Sequence, residues 1–167
     1  IEAALLCGQA TSGVTVQRIV EKLDAGDILD REPVTIDPLD HFPELFAKLL
    51  AAGLTVLPRA VRILTDGTEN YRPQIEADAD CCGKISSDER RIDWNCGRDT
   101  VYNRIRAYAG HRTAWTTFRG HKLLVHRAAP ANETVVTPDT TPGTAVKVER
   151  HALEVACGDG KCIALVE

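Results

Sequence analysis

No stretch of this sequence stays apolar for the roughly 18 residues that a membrane-spanning helix needs. No CxxC pair occurs among its six cysteines, which removes the commonest zinc and thioredoxin-like patterns. A zinc site built from Cys81, Cys82 and Cys96 would fit no common ligand spacing, so no metal is expected. The opening residues, IEAALLCGQATSG, lack the basic start and long apolar core of a signal peptide. Reduced thiols in a cytoplasmic protein are therefore the expectation. Methionine is absent altogether. The chain also opens at Ile1 on what reads as the end of an amphipathic helix. Together these lead us to expect a segment cut from a longer protein. No internal repeat is visible.

What is present is ordinary in overall proportion and uneven in distribution. The 167 residues suffice for one domain or two small ones. The formal net charge of −4 conceals a segregation: residues 1–80 carry −7, residues 81–130 carry +6, and residues 131–167 carry −3. A basic block between acidic ones suggests a local anion-binding face; a solvated surface with uneven charge explains it equally well.

Residues 2–7 read as a helix stopped by Gly8. SGVTVQRIV and DILDREPVTI read as two strands, with Pro33 pointing to an edge or irregular position. From Phe42 to Leu64, apolar residues recur at helical spacing and predict one buried face. Gly53 on that face suggests close approach of a neighbour, and Pro58 predicts a kink or break near Leu54. Residues 68–92 read as an exposed linker. A helix is expected from about Arg98, with Val101, Ile105 and Tyr108 on one side. Several short strands follow, punctuated by Arg119-Gly120 and by GDGK near Gly158, and suggest a small β-barrel.

The acidic turn EKLDAGDILD, with Asp24, Asp27 and Asp30 around Gly26, is open to three readings. As a calcium loop it has the wrong ligand spacing. As a plain hairpin turn it needs nothing further. A carboxylate fixed at a strand end could instead act as a general acid or base. In the basic block, His121 and His126 are an odd number apart, so one strand would turn them to opposite faces; with His111 they read as surface or half-buried side chains. GHRTAWTTFRGHKLLVHR interleaves cations with Trp115 and Phe118. That is compatible with contacts to a nucleic-acid backbone, although Trp115 also reads as a core anchor.

Taken together, SGVTVQRIVEKLDAGDIL, the helix DHFPELFAKLLAAGLTVLPRAVRIL, KISSDERRIDW, VYNRIRAY and the closing TPGTAVKV and ALEVACGDGKCIALVE resemble the methionyl-tRNA formyltransferases. The LDAGD and IDW…IRA signatures are the most specific. The resemblance implies an α/β plus β fold: the C-terminal portion of a Rossmann-like formyltransferase domain over 1–72, a linker over 73–92, and an OB-like β-barrel that binds tRNA over 93–167. It implies formyl transfer from 10-formyltetrahydrofolate to the amino group of initiator methionyl-tRNA, with no metal, by a monomer. Asp24 matches the catalytic aspartate, and Glu21, Lys22, Leu23 and Asp24 would line the folate pocket. Asp24 is thereby expected at a pocket mouth, and Asp27 and Asp30 are structural or solvated. Lys84, Arg104, Arg106, Arg112, Arg119 and Lys122 are the expected tRNA contacts. The family's Asn-x-His pair and Ser-Leu-Leu-Pro segment lie upstream of the matched region, so the chain as given is expected to be inactive alone. YAGHRTAW replaces the family's proline-rich run after IRA, and related enzymes formylate nucleotide-linked amino sugars with the same aspartate. A sugar-nucleotide N-formyltransferase is thus one alternative; a non-catalytic RNA-binding module over 82–167 is another.

Overall fold

The computed structural model describes residues 1–167 except 76, 78, 80, 81, 111, 132–135, 138 and 167. It divides into two units. One comprises residues 10–37 and 44–83; the other comprises residues 1–9, 38–43 and 84–167.

The first unit is built on a hairpin. β1 (Thr11–Gln17) and β2 (Ile28–Thr35) pair antiparallel, Thr11 opposite Thr35, with an irregularity between Val16 and Gln17. Their β-branched residues suit a pleated surface. β2 pairs only with β1 among the described strands, so Pro33 sits in an edge strand, as its missing N–H requires. A parallel Rossmann-like sheet is not formed among the described residues; this segment contributes a hairpin and a helix.

α2 follows (Phe42–Thr65), preceded in the chain by the short α1 (Glu2–Leu6). α2 ends where sequence chemistry puts it. Gly67 takes φ +64°, and the Thr68 N–H donates to the Ile63 carbonyl at 3.1 Å, a left-handed C-terminal cap. Of the expected kink or break near Leu54, a break does not occur: α2 is helical from end to end. Proline removes only the bond to the Leu54 carbonyl, and both Leu54 and Pro58 lie on the exposed side, where water can satisfy that oxygen.

The expected single buried face is also corrected. Leu45, Leu49, Ala52, Val56 and Ala60 are buried, whereas Phe46, Leu50, Leu54, Leu57, Val61 and Leu64 form a second apolar stripe that is 46–71% exposed. The sequence is apolar on two faces, and the described residues cover one. Nor does any neighbour approach Gly53: a methyl placed there meets nothing within 4 Å.

The second unit packs α3 (Arg98–Ala107) against antiparallel strands. β3 (Ala114–Phe118) and β4 (His121–Val125) form one hairpin. β5 (Arg127–Pro130), β6 (Ala145–Val148), β7 (Ala152–Ala156) and β8 (Cys162–Val166) form a four-stranded sheet in the order β5-β8-β7-β6. The strand-like runs of the sequence are therefore strands, but no ladder joins the two sheets into a closed barrel among the described residues. Its core gathers Ile92, Val101, Ile105, Val125, Val155 and Ile163. Cys157 and Cys162 are buried free thiols; burial, aided by the Asp159 carboxylate, pushes the Cys157 thiol up to about 12, so it stays protonated and behaves as a small apolar side chain.

Two short pieces of N-terminal sequence belong to this unit. Leu5 of α1 is fully buried and Leu6 packs on the core. His41 accepts at Nε2 from the Ala128 N–H at 3.4 Å and, at Nδ1, bonds the Leu39 carbonyl at 3.1 Å, while the Tyr102 hydroxyl donates to the Pro38 carbonyl at 2.9 Å. No helix among the described residues is long and apolar enough to cross a membrane.

A candidate catalytic loop and a cationic hairpin

Ten residues, 18–27, connect β1 to β2. The Arg18 N–H donates to the Asp27 carbonyl at 2.9 Å and closes the loop at its base. Gly26, at the base, is buried, and a methyl on it would lie 1.7 Å from the Arg18 carbonyl oxygen; only glycine lets the two backbone runs meet. Asp24 takes φ +54°, a left-handed conformation that Asp tolerates better than most side chains.

Glu21, Lys22, Leu23 and Asp24 are all exposed, and Ile19 and Leu23 present apolar side chains to solvent on the same loop. The Asp24 carboxylate accepts from Gln17 Nε2 at 3.4 Å. The expected pocket mouth is not found at this carboxylate: Asp24 is exposed and neither of the two clefts noted below adjoins it. The loop offers an acceptor carboxylate beside two exposed apolar side chains.

Sequence reading took residues 68–92 as an exposed linker and missed the part that Tyr71, Arg72 and Gln74 play in this loop. Arg72 exchanges both backbone hydrogen bonds with Ile28, at 2.8 and 2.9 Å. The Arg18 guanidinium stacks 4.0 Å above the Tyr71 ring. Gln74 Nε2 donates to Gln17 Oε1, to the Asp24 carbonyl and to the Gly26 carbonyl, at 2.9, 2.8 and 2.7 Å.

The neighbouring acids do other work. Arg59 of α2 clamps β2, donating to Asp30 at 2.5 and 3.2 Å, to Glu32 at 2.9 Å and to the Arg31 carbonyl at 3.2 Å. The Arg59 guanidinium, seconded by the Arg31 N–H, holds the Asp30 carboxyl below its ordinary 3.8. A carboxyl whose pKa is lowered by folding stabilises the fold above its unfolded value and loses that contribution as pH falls through the folded one. The thermal midpoint of this unit should therefore drop below about pH 4, and by less in Asp30→Asn; melts at pH 7, 4 and 3 check it, and equal acid sensitivity in both chains would contradict the clamp.

In the other unit, the β3–β4 turn puts both central residues, Arg119 (φ +49°) and Gly120 (φ +79°), in the left-handed region, the twist a two-residue hairpin needs. Arg119 stacks on Phe118 at 5.2 Å. Lys122 and Arg91 both lie over the Trp115 ring, at 4.6 and 5.6 Å, and Trp115 donates to the Ser87 carbonyl at 2.9 Å. Of the six expected tRNA contacts, Arg119 and Lys122 share this hairpin, while Lys84 and Arg112 are exposed elsewhere. Arg104 donates to the carbonyls of Glu89 and Arg91 at 2.9 and 2.8 Å. Arg106 is only 5% exposed, held over Tyr102 and donating to Asn103; its charge faces the protein, not solvent. Arg91 was missed, although its place in the Arg90-Arg91 pair was the available signal. Beside the hairpin is a cleft of about 610 Å³ lined by Arg91 and Thr117 but also by Asp88 and Asp93; a second, of about 590 Å³, lies between the end of β4 and the β6–β7 turn.

His121 and His126 are exposed, and His111 and Cys81 fall outside the described residues. No group of three or more possible metal ligands forms among the described residues.

Residues 1–61 match the family model described as formyl transferase, and residues 84–167 match that described as formyl transferase, C-terminal domain. The methionyl-tRNA formyltransferase of Leptospira interrogans serovar copenhageni is 32% identical over 168 aligned residues, taking in 100% of this chain and 53% of the relative. That of Lysinibacillus sphaericus is 33% identical, over 100% of this chain and 52% of the relative. The chain thus spans about half the length of the curated relatives it matches. Among solved structures, the N-formyltransferase of Helicobacter canadensis, complexed with folinic acid and dTDP-3-aminofucose, superposes with a TM-score of 0.78 at 17% identity. It covers 98% of this chain and 58% of that one.

Proposed function

Because this chain belongs to the formyl transferase family, we propose that the protein moves a formyl group from 10-formyltetrahydrofolate to the amino group of methionyl-tRNA. The observation that carries this reading is the Asp24 loop: a carboxylate on a left-handed residue, closed beneath by a glycine that no other side chain can replace, and braced by two glutamines. In this reading Asp24 takes the proton that the acceptor amine sheds as its nitrogen bonds to the formyl carbon, and passes it to the donor nitrogen as that bond breaks. Glu21, Lys22 and Leu23 hold the donor's edge, with Ile19 and Leu23 against its apolar part.

Similarity across this chain to about half the length of methionyl-tRNA formyltransferases, and the hairpin that bears Lys122 and Arg119 with Arg91 against its Trp115, support RNA as the acceptor. Stacked cations beside aromatic rings suit sequence-independent contact with a phosphate backbone. Lys84 and Arg112, exposed elsewhere on the unit, are further proposed contacts, and Arg104 holds Arg91 by its carbonyl.

A polypeptide of full family length carrying this segment, given 10-formyltetrahydrofolate, should formylate methionyl-tRNA, read by acid gel or mass spectrometry. Formylation of a dTDP-amino sugar with none of the tRNA would overturn the acceptor and retain the chemistry. Binding of tRNA without either transfer would favour the non-catalytic RNA-binding alternative.

A further inference from the structure

Resting on the assignment of Asp24 as the reacting carboxylate, we propose that Gln74 is a positioning residue that aims this carboxylate through Gln17. Gln74 stands 50 residues beyond Asp24 in the chain and is brought beneath the loop by the Arg72–Ile28 pair and the Tyr71–Arg18 stack.

Three oxygens surround Gln74 Nε2: Gln17 Oε1 and the carbonyls of Asp24 and Gly26. All three can only accept, so the group at their centre must be a pure donor, and the amide orientation of Gln74 is fixed by chemistry. Its two hydrogens serve three acceptors, one bond being shared.

The same logic passes to the next residue. With Oε1 of Gln17 occupied by Gln74, the end of Gln17 turned toward Asp24 Oδ1 is the donor, Nε2, at 3.4 Å. Without Gln74 the two ends of the Gln17 amide are nearly equivalent in shape, and half-rotation would set oxygen against carboxylate. Gln74 therefore determines whether the Asp24 carboxylate meets a donor or a repulsive acceptor. Its bonds to the carbonyls of Asp24 and Gly26 also hold the loop on both sides of the left-handed residue. Gln74 contacts Asp24 only through that residue's backbone, which makes its role one of positioning.

The test compares Gln74→Glu, Gln74→Ala and Asp24→Asn in a polypeptide of full family length. Glutamate matches glutamine in shape and, when ionised, presents acceptors to acceptors. Gln74→Glu should lower kcat about 10- to 100-fold, the effect of a slightly misplaced reacting group, with KM for both substrates within about twofold. In an Asp24→Asn background, Gln74→Glu should have no further effect on kcat. For a variant too unstable to assay, hydrogen exchange in the 167-residue chain replaces kinetics: the Arg18 amide, which closes the loop, should exchange at least about tenfold faster in Gln74→Ala.

Inactive Asp24→Asn alongside Gln74→Glu with normal kcat overturns the role of Gln74 and leaves the site standing. Unchanged Arg18 exchange in Gln74→Ala overturns the bracing. Active Asp24→Asn overturns the assignment beneath both.

Discussion

Asp24→Asn, in a polypeptide of full family length carrying this segment, should reduce kcat for formyl transfer by about 10²–10⁴-fold and leave the thermal midpoint unchanged. Asparagine is the informative replacement. It tolerates the left-handed backbone that residue 24 adopts at φ +54°, and its carbonyl oxygen can accept the Gln17 N–H as the carboxylate does. What it removes is the negative charge and the capacity to take a proton. Alanine would confound the two, since a β-carbon without a local hydrogen bond is disfavoured there by roughly 1–2 kcal/mol. A steady-state formylation assay with a melt on the same preparation checks it; kcat within twofold of the parent would remove Asp24 from the chemistry.

Gly26→Ala should be as damaging by another route. The added methyl would sit 1.7 Å from the Arg18 carbonyl oxygen and 2.7 Å from its carbon. Both are backbone atoms at the closed end of a hairpin, so no rotamer change relieves the clash and the loop base must open. Opening breaks the Arg18–Asp27 bond and carries the Gly26 carbonyl away from Gln74. The expected result is a loss of kcat comparable to that of Asp24→Asn, now with a lowered melting point, since overpacking typically costs about 1–3 kcal/mol. Gly53→Ala is the control. It lies within α2 with nothing within 4 Å, so relief of glycine's helix penalty should stabilise by roughly 0.5–1 kcal/mol. A Gly26→Ala chain that melts and turns over like the parent would mean the loop is not built as described.

Local features of this fold were legible in the sequence. The stop at Gly8, the start of α3 at Arg98 and the Arg119-Gly120 turn each depend on neighbours within a few residues. Long-range features were not. Nothing near Gln74 in the chain indicates that it bonds residues 48 and 57 positions earlier. Arg106 reads like any cation of a basic helix, and its burial follows from Tyr102 and from packing between α3 and strands much further along. Closure of a barrel is likewise a property of non-adjacent strands, whereas the strands themselves come from local alternation. For α2, apolar periodicity reveals which positions avoid water but not which stripe is covered. The LDAGD stretch marked the site by resemblance; its bracing by Gln17 and Gln74 emerged only from the folded arrangement.

The unit that holds residues 84–167 is threaded from three separate stretches of polypeptide. Cutting back to residues 84–167 would strip out Leu5 and Leu6, the Pro38 carbonyl that Tyr102 bonds, and the His41 ring that meets the Ala128 amide. A protease nicking the connection near Gly83 would leave two pieces still fastened by those contacts, so the halves would co-elute until denatured. During synthesis, α1 has no partner to bury Leu5 against until α3, some ninety residues further along, has emerged.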